Sequence, residues 1–269
     1  MSNHDRLLAL DAGNTRVKWA LWNSPTGAEV QYGAIATGAL SDAAPASVAE
    51  LSAAVASADQ IVVANVAGAK VEAALRDMAG AVALRTIHAR PSCCGVTNQY
   101  DDAAQLGVDR FAALIGAHAI AELAGFAKLV VGAGTAVTID ALTAEGNFLG
   151  GSILPGPTMM RRALHRDTAT LPFSDARASA ADFARNTGDA IAAGTRDAIA
   201  GAITIAAQRL ARGLPPAAKV HLVLCGGAAA EIAAGLTWPS PSAALAITMR
   251  EHLVLDGLRL IAFSSPPNK

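Results

Sequence analysis

The chain has 269 residues, a length that fits one large domain or two smaller ones and excludes a coiled coil or a mini-protein. Hydrophobic residues make up 52% of the chain and charged residues 16%. That is enough apolar material to bury a sizeable core, so the composition excludes a disordered protein. The formal net charge is −1, and no window carries a basic run, which argues against nucleic acid as a partner.

The N-terminus and the cysteines indicate a cytoplasmic protein. Asp5 precedes an apolar stretch that is too short for a signal sequence, and we expect no membrane span because no apolar run reaches about 18 residues. Three cysteines, of which Cys93 and Cys94 are adjacent, form no disulfide framework and have no zinc-site spacing. Since Arg90 is the only nearby basic residue, we assign these thiols no redox role.

The first half of the chain is predicted to begin with a β-meander. Strands are expected at Leu7 to Leu10 and at Arg16 to Trp22, joined by a tight Gly-Asn turn. The elements expected next are a strand at 28–36, a helix at 47–58, a strand at 61–66, a helix at 70–78, a strand at 82–87 and a long helix at 106–123.

The second half starts as the first did. Three candidate strands, at 128–131, 136–142 and 147–153, surround the glycine-rich turn that begins at Gly132. The elements expected after them are helices at 157–165 and 186–210, a strand at 220–225, a short alanine-rich helix and a helix at 251–261. A strand-turn-strand unit thus occurs at Asp11 and again at Gly132, which predicts two related α/β lobes at 1–118 and 119–269.

The first chemical candidate is the sequence DAGNTRVK, from Asp11 to Lys18, at the tip of the first hairpin. A phosphate requires close backbone N–H groups, which Gly13 permits, and a cation such as Lys18. Asp11 is suited to hold Mg²⁺ directly or through water. The alternative is an ordinary Gly-Asn hairpin turn in which Asp11 only starts the turn. The second turn, GAGTAVTID, carries the same two interpretations, and together the turns would clamp nucleotide phosphates from both sides of a cleft.

The second candidate is the segment NQYDDAAQLGVDR, from Asn98 to Arg110. Here Asp109 stands beside the guanidinium of Arg110, and a neighbouring positive charge favours an ionised carboxylate that accepts a hydroxyl proton. Alternatively, Asp109 is a helix N-cap or a first-turn residue that interacts with the helix dipole. Tyr100, in a polar setting, is suited to line a substrate pocket or to cover the edge of the core.

The third candidate is the sequence LCGGAA, where a strand ends in Gly226 and Gly227 before a helix. Such glycines let the backbone approach a flat ring, as an adenosine site requires. Close packing of strand against helix explains them equally well. His118 and His221 lie in apolar segments and are interpreted as structural histidines.

Taken together, these motifs resemble the type III pantothenate kinases of the acetate and sugar kinase, Hsc70 and actin superfamily. The resemblance rests on DxGNTxxK, Y…LGxDR, GTAxTID, GGxIxPG, NTxxAIxxG and the late glycine pair, in this order along nearly the whole chain. It implies two RNase H-like lobes, the actin-like ATPase duplication, with ATP and Mg²⁺ in the cleft between them. It also implies a homodimer and the phosphorylation of pantothenate in coenzyme A synthesis. Some relatives carry the name Bvg accessory factor.

The resemblance also assigns site residues by motif. Asp109 corresponds to the general base, and Thr187 to a substrate-contacting threonine that often reaches the site across the dimer. The residues that correspond to the ATP site are Asp11, Ala12, Gly13, Asn14, Thr15, Arg16, Val17, Lys18 and Thr135. Those that correspond to the pantothenate pocket are Tyr100, Gly107, Val108, Asp109, Arg110 and Thr187.

Two positions depart from the family pattern. Gly132 stands where family members commonly have an aspartate that binds a monovalent cation, so we expect no dependence on K⁺ or NH₄⁺. Ala103 replaces a proline, which loosens that loop without removing chemistry. Two other functions stay open at this point: a kinase of the same superfamily acting on another small molecule, and a catalytically silent regulator that binds nucleotide.

Overall fold

The computed structural model describes residues 6–23, 30–40, 45–174, 183–215, 218–236 and 245–264. Its strands are β1 (Leu7–Ala12), β2 (Arg16–Trp22), β3 (Val30–Ala36), β4 (Gln60–Asn65), β5 (Ala83–Thr86), β6 (Ser92–Cys93), β7 (Val96–Asn98), β8 (Ala127–Ala133), β9 (Ala136–Leu142), β10 (Asn147–Pro155), β11 (Val220–Cys225) and β12 (Ala246–Met249). Its α-helices are α1 (Pro45–Ser57), α2 (Ala69–Ala79), α3 (Val108–His118), α4 (Pro157–Asp167), α5 (Thr187–Arg212), α6 (Ala229–Gly235) and α7 (Leu253–Phe263).

The chain forms two compact units. The first unit contains Met1–Ala119 and Leu253–Lys269, and the second unit contains Ile120–His252. The last helix, α7, therefore packs with the N-terminal part of the chain. The division into functional domains at 1–118 and 119–269 stays a prediction.

The two units repeat one strand topology. In the first unit the strand order is β3-β2-β1-β4-β5, in which the first three strands are antiparallel and β4 and β5 run parallel to β1. In the second unit the order β10-β9-β8-β11-β12 has the same senses. The predicted meander and its repeat are confirmed. Asp11 on β1 and Gly132 on β8 occupy equivalent register positions, one residue before the end of the first strand of each unit.

The central strands of each sheet are buried because they are short apolar runs bounded by turns. On one face of the first sheet, Leu8, Leu10 and Val63 pack in a cluster with Leu51 of α1 and Leu75 of α2. Leu7 and Ala9 are also fully buried, so β1 is covered on both of its faces. In the second unit a corresponding cluster joins strands β8, β9 and β11 to helices α5 and α6. Burial of this kind contributes about 25 cal/mol per Å² of apolar surface.

Helix α5 has 26 residues and is long and apolar enough, by length and composition, to cross a membrane. This differs from the expectation that no apolar run reaches that length, because alanine and isoleucine keep the helix apolar between its scattered polar residues. Ile199, Ile203 and Leu210 on one of its faces belong to the core of the second unit. A helix with one face in the core of a soluble protein satisfies the same length and composition criteria.

The helix predicted over 106–123 is shorter in the structure. Gly107 is its N-cap, and α3 ends at His118 with Ala119 as the C-cap. A separate short 3₁₀ turn then covers Ala121–Leu123. Apolar periodicity continues through both segments, which is why the pattern alone joined them. After α4 ends at Asp167, residues 168–174 form neither helix nor strand, and residues 175–182 lie outside the described residues.

A two-residue hairpin that the sequence did not predict connects β6 and β7. Its turn consists of Cys94 at φ 50° and Gly95 at φ 80°, both in the left-handed region. Turns of this type favour Asn-Gly, because few side chains tolerate that conformation at the first position. Cys94 is the one non-glycine residue with a positive φ in the part of the chain that the structure describes, and such a conformation costs about 1 kcal/mol or more.

Helices α3 and α7 pack with their backbones in direct contact. A Cβ atom at Gly116 would meet the carbonyl oxygen of Leu253, and one at Gly257 would meet the carbonyl oxygen of Ala112. Backbone atoms cannot give way as a flexible side chain can. The contact between these helices therefore requires glycine at both positions.

We expect Gly257→Ala to lower the free energy of unfolding by about 1 to 3 kcal/mol, because the added methyl group must push two helix backbones apart. The matched control is Gly201→Ala, in helix α5, where no atom lies within 4 Å of an added Cβ. That change should raise stability by about 0.5 to 1 kcal/mol through helix propensity alone. Urea denaturation followed by circular dichroism measures both variants, and equal stability of Gly257→Ala and the native chain would contradict the contact.

Candidate functional site

The segment from Asp11 to Lys18 forms the turn between β1 and β2. Asp11 lies directly opposite Lys18 in the antiparallel register, so their side chains are neighbours on one face of the sheet. The Gly13 N–H donates to the Arg16 carbonyl oxygen at 3.0 Å and closes the turn. The side chains of Asn14, Thr15 and Arg16 at its tip are exposed.

Thr37 stabilises this turn by two hydrogen bonds, although it lies after β3 and not in the turn itself. The sequence analysis did not identify it. Its hydroxyl donates to the carbonyl oxygen of Gly13 at 2.6 Å, and its N–H donates to the carbonyl oxygen of Thr15 at 3.0 Å. Thr37 is itself buried. Two bonds from one buried residue fix the loop backbone, and a fixed backbone is what repeated binding of a phosphate at one place requires.

Asp109 lies in the first turn of α3, two residues after the N-cap residue Gly107. Its Oδ1 accepts the backbone N–H of Arg110 at 2.8 Å, so the carboxylate satisfies one free donor at the helix start. A Cβ at Gly107 would stand 2.7 Å from that same oxygen. Glycine at 107 thus leaves the space that the carboxylate of Asp109 occupies.

The first unit brings the carboxyl groups of Asp11 and Asp109 close enough to repel each other. The pKa of Asp11 is raised to about 7, mainly by burial and also by the nearby negative charge of Asp109, while the positive charge of Lys18 lowers it. Asp11 therefore keeps its proton in a substantial fraction of molecules at neutral pH. A cation beside this carboxyl group would strongly stabilise its ionised form, because the attraction offsets both the cost of burying the charge and the repulsion from Asp109.

Tyr100 and Arg110 contact each other in the same unit. The guanidinium carbon of Arg110 lies 5.7 Å from the centre of the Tyr100 ring, within the range of a cation-π interaction, and Arg110 is buried. The buried Asn98 accepts the Tyr100 N–H at 3.1 Å and donates to the Ala103 carbonyl oxygen at 3.0 Å. These two hydrogen bonds of Asn98 fix the backbone around Tyr100. An asparagine two residues before the tyrosine is the sequence signal of an Asx turn, and it could have indicated this role.

The second unit carries the other predicted phosphate turn. Thr135 is exposed in the turn between β8 and β9, which the Gly134 N–H closes by donating to the Ala136 carbonyl oxygen at 3.0 Å. At Gly132 an added Cβ would stand 2.7 Å from the Thr138 hydroxyl oxygen. A side chain at 132 therefore has no room unless Thr138 moves.

Of the two late glycines, Gly226 is explained by packing. Its φ is 94°, and an added Cβ would meet the backbone of Ala133, to whose carbonyl oxygen the Ala228 N–H donates at 3.0 Å. Gly227 is exposed, and a Cβ added there would meet no atom within 4 Å. Packing therefore does not explain this glycine, and its backbone is open to a ligand. His221 is structural: it is buried, and its Nε2 lies 2.8 Å from the hydroxyl of Thr248.

Thr187 is the first residue of α5 and is exposed. It lies at a pocket of about 560 Å³ in the second unit, whose remaining lining is mostly apolar. The lining residues are Pro155, Met160, Ala163, Leu164, Leu171, Thr187, Ala190, Ile191, Gly194 and Thr195. Thr187 and Thr135 thus belong to the second unit, whereas Asp11, Lys18, Tyr100, Asp109 and Arg110 belong to the first.

We expect Asp11→Asn to become more stable relative to the native chain as pH rises from 5 to 8. The pKa of Asp11 is raised by folding, so its contribution to stability is fully present below the unfolded-state value of 3.8 and is lost as pH rises toward 7. Asparagine has no proton to lose, so its gain in unfolding free energy relative to the native chain should be about 2 to 3 kcal/mol between pH 5 and pH 8. Urea denaturation at several pH values measures it. The control Asp77→Asn changes an exposed carboxylate and should follow the native profile. If Asp11→Asn also follows the native profile, the pKa of Asp11 is not raised.

Comparison with known proteins identifies the family. The family model for type III pantothenate kinase matches residues 7–209. The type III pantothenate kinase of Aromatoleum aromaticum is 42% identical over 258 residues, covering 95% of this chain and 97% of that protein. That of Dechloromonas aromatica is 39% identical over 261 residues, covering 96% of this chain and all of its own length.

Solved structures support the same fold. A conserved Baf family protein of Campylobacter jejuni is 20% identical with a TM-score of 0.56, covering 94% of this chain and 96% of its own. The activator of 2-hydroxyisocaproyl-CoA dehydratase from Clostridium difficile, solved with ADPNP, is 12% identical with a TM-score of 0.52, covering 96% and 93%. The predicted two-lobed α/β fold is thereby confirmed. By its family model and its relatives at about 40% identity, the chain belongs to the type III pantothenate kinase family.

Proposed function

We propose that the chain transfers the γ-phosphoryl group of ATP to the primary hydroxyl of pantothenate and so forms 4'-phosphopantothenate for coenzyme A synthesis. Membership in the family supports this activity. The observation that carries the assignment of residues is the grouping of Asp11, Lys18 and Asp109 in the first unit, where two carboxyl groups and an ammonium group influence one another. Phosphoryl transfer needs such a combination of proton acceptor and positive charge.

Asp109 is the general base in this proposal. Its carboxylate accepts the proton of the pantothenate hydroxyl while the hydroxyl oxygen attacks the γ-phosphorus and ADP leaves. The Arg110 N–H already holds Oδ1, so we assign the proton to Oδ2. The hydrogen bond at Oδ1 fixes the orientation of the carboxylate before the substrate binds. Asp109 can therefore serve both as a first-turn residue of α3 and as the general base, because Oδ1 binds the helix N–H and Oδ2 accepts the proton.

The two turns supply the phosphate contacts. In the first turn, Asn14, Thr15 and Arg16 offer exposed side chains and backbone groups at the tip, and Lys18 stabilises negative charge on the transferring group. In the second turn, Thr135 offers its hydroxyl and backbone to ATP. A loop that is pinned by Thr37 need not be ordered again at each turnover.

The carboxyl groups also fit a magnesium ion. Mg²⁺ binds through one or two carboxylates plus water and substrate phosphates, and the half-buried carboxyl of Asp11 next to Asp109 matches that requirement. Asp11 would hold the ion directly or through water. When bound, the ion supplies positive charge to the phosphate oxygens. No cluster of three or more His, Cys, Asp or Glu residues suited to a metal occurs in the described ranges, so phosphate and water would complete its shell.

The pantothenate pocket is assigned to Tyr100 and to the segment from Gly107 to Arg110. The ring of Tyr100 gives apolar contact area, and Arg110 binds either the pantothenate carboxylate or charge that develops in the transition state. The contact between the two side chains holds the guanidinium in one orientation. Val108 is buried and anchors the start of α3 beneath them.

We also propose a cytoplasmic homodimer. In this proposal Thr187 contacts pantothenate, as the family resemblance implies, and reaches the site across the dimer, as such a threonine often does in the family. Thr187 is exposed at the start of α5 and lines a mostly apolar pocket, which supports a surface that another chain covers.

Asp109→Asn should lower kcat by about 10²-fold or more while ATP binding is retained, because the amide cannot accept the hydroxyl proton. Pantothenate-dependent release of ADP measures turnover, and fluorescence titration with an ATP analogue measures binding. The control Asp77→Asn lies on the exposed side of α2 and should leave both unchanged. Near-normal turnover of Asp109→Asn would reject the assignment. An absence of ADP release from the native chain would favour a silent regulator, and release with another acceptor only would favour a different kinase.

The rate of ADP release should be the same in KCl and in NaCl at equal ionic strength. Gly132 offers no carboxylate, and the Thr138 hydroxyl occupies the space that a side chain at this position would need. Strong stimulation by K⁺ would show that backbone carbonyl groups form a cation site without the aspartate. Choline chloride serves as the control for ionic strength.

A further inference from the structure

Three groups surround the sulfur of Cys93 in the first unit. The Nη2 of Arg90 donates to Cys93 Sγ at 2.6 Å, Cys94 Sγ lies 3.2 Å away, and the hydroxyl of Ser264 lies 3.8 Å away. The same Arg90 nitrogen donates to the Ser264 oxygen at 3.4 Å. The segment at 90–94 and the residue that follows α7 thus form one polar cluster around two thiols.

The turn between β6 and β7 brings the two sulfurs together. Neighbouring side chains on a regular strand point to opposite faces of the sheet. Cys94 is not part of the strand: its left-handed conformation turns the chain, and Gly95 completes the turn. A strained residue at this position, where asparagine would fit without strain, is an observation that points to a function for the cysteine.

The sequence analysis assigned these thiols no redox role, because it did not show that the turn brings the two sulfurs and Arg90 together. From that geometry we propose that Cys93 and Cys94 are a site of reversible oxidation by hydrogen peroxide, in which the two sulfurs form a disulfide between adjacent residues. The chemistry needs only a hydroperoxide and later a thiol reductant, and it does not depend on the proposed kinase activity.

The two cysteines take different roles. Arg90 donates to the Cys93 sulfur at 2.6 Å, whereas no such donor is seen at Cys94 in the described part of the chain, so we assign Cys93 as the residue that attacks the peroxide. Burial and the neighbouring Cys93 sulfur raise the pKa of Cys94 to about 11, so Cys94 keeps its proton at neutral pH. Cys93 is buried and Cys94 is half-buried, which admits a small peroxide while limiting larger oxidants.

Two balanced steps describe the reaction. First, the Cys93 thiolate attacks one peroxide oxygen, the O–O bond breaks, the sulfur is oxidised to sulfenic acid and hydroxide leaves. Second, the Cys94 sulfur attacks the Cys93 sulfur, the S–O bond breaks, and the Cys94 proton leaves with the hydroxyl group as water. The peroxide is reduced by two electrons, and the dithiol is oxidised by two.

The resulting disulfide should be easily reduced. Consecutive Cα atoms are about 3.8 Å apart, whereas ordinary disulfides span about 4.4 to 6.8 Å between Cα atoms. A disulfide closed over so short a distance is strained, and strained disulfides are the ones that reductants open readily. This property suits a transient modification better than a structural crosslink.

Intact-mass spectrometry of a Cys225→Ala chain provides the test. The protein has three cysteines, so this variant keeps only the adjacent pair. We expect hydrogen peroxide to lower the mass of the single chain by about 2 Da, and dithiothreitol to restore it. Adding Cys94→Ser should stop the reaction at a sulfenic acid, heavier by about 16 Da and trapped by dimedone. Adding Cys93→Ser should remove the fast reaction.

A second comparison tests the role of Arg90. On the Cys225→Ala background, Arg90→Gln should slow oxidation about tenfold, whereas Arg90→Lys keeps the positive charge and should slow it less. Circular dichroism checks that all variants are folded. The proposal is overturned if the pair gains only oxygen atoms, if it forms crosslinked dimers instead of losing 2 Da within one chain, or if it does not react. Kinase assays play no part in these readouts, so a failure here leaves the proposed function untouched.

Discussion

The backbone contact between α3 and α7 is the constraint on which the carboxyl pair depends. Gly116 and Gly257 carry no side chains where the helices meet, so α3 lies directly against α7. Helix α7 also packs on β1, the strand that carries Asp11 near its end. Asp109 stands at the start of α3. The relation between the two carboxyl groups is thus set by helix packing at a distance from them, without a direct bond between the carboxyl groups.

Much of the fold could be predicted from the sequence. The bounds of β9 and β11 agree with the expected strands residue by residue, because each is an apolar run that ends at glycine or at a polar turn. The repeat of the strand-turn-strand unit also anticipated the shared topology of the two sheets. Local patterns are informative where burial and turn chemistry agree. They failed at α3, where the apolar residues continue past the helix end at His118.

The site could be predicted only where a residue stands in a recognisable motif. Thr37, which holds the first phosphate turn, belongs to no such motif. Asn98 begins the second candidate segment, but its support of Tyr100 arises from hydrogen bonds made after folding. The repulsion between Asp11 and Asp109 joins residues far apart in sequence. The hairpin at 92–98 was missed because its strands are too short to show alternation, and Cys-Gly stands where Asn-Gly would have marked the turn.

The membership of α7 in the first unit has a consequence for the order of folding during synthesis. Domains usually fold from the N-terminus as the ribosome releases them. Here the first unit lacks the helix that covers α3 until Leu253–Phe263 has been made, whereas every residue of the second unit, Ile120–His252, is already available. The later-encoded lobe can therefore finish folding first. Until α7 has been made, the N-terminal lobe exposes the apolar face of α3. A chaperone that shields this face would act on the nascent N-terminal lobe.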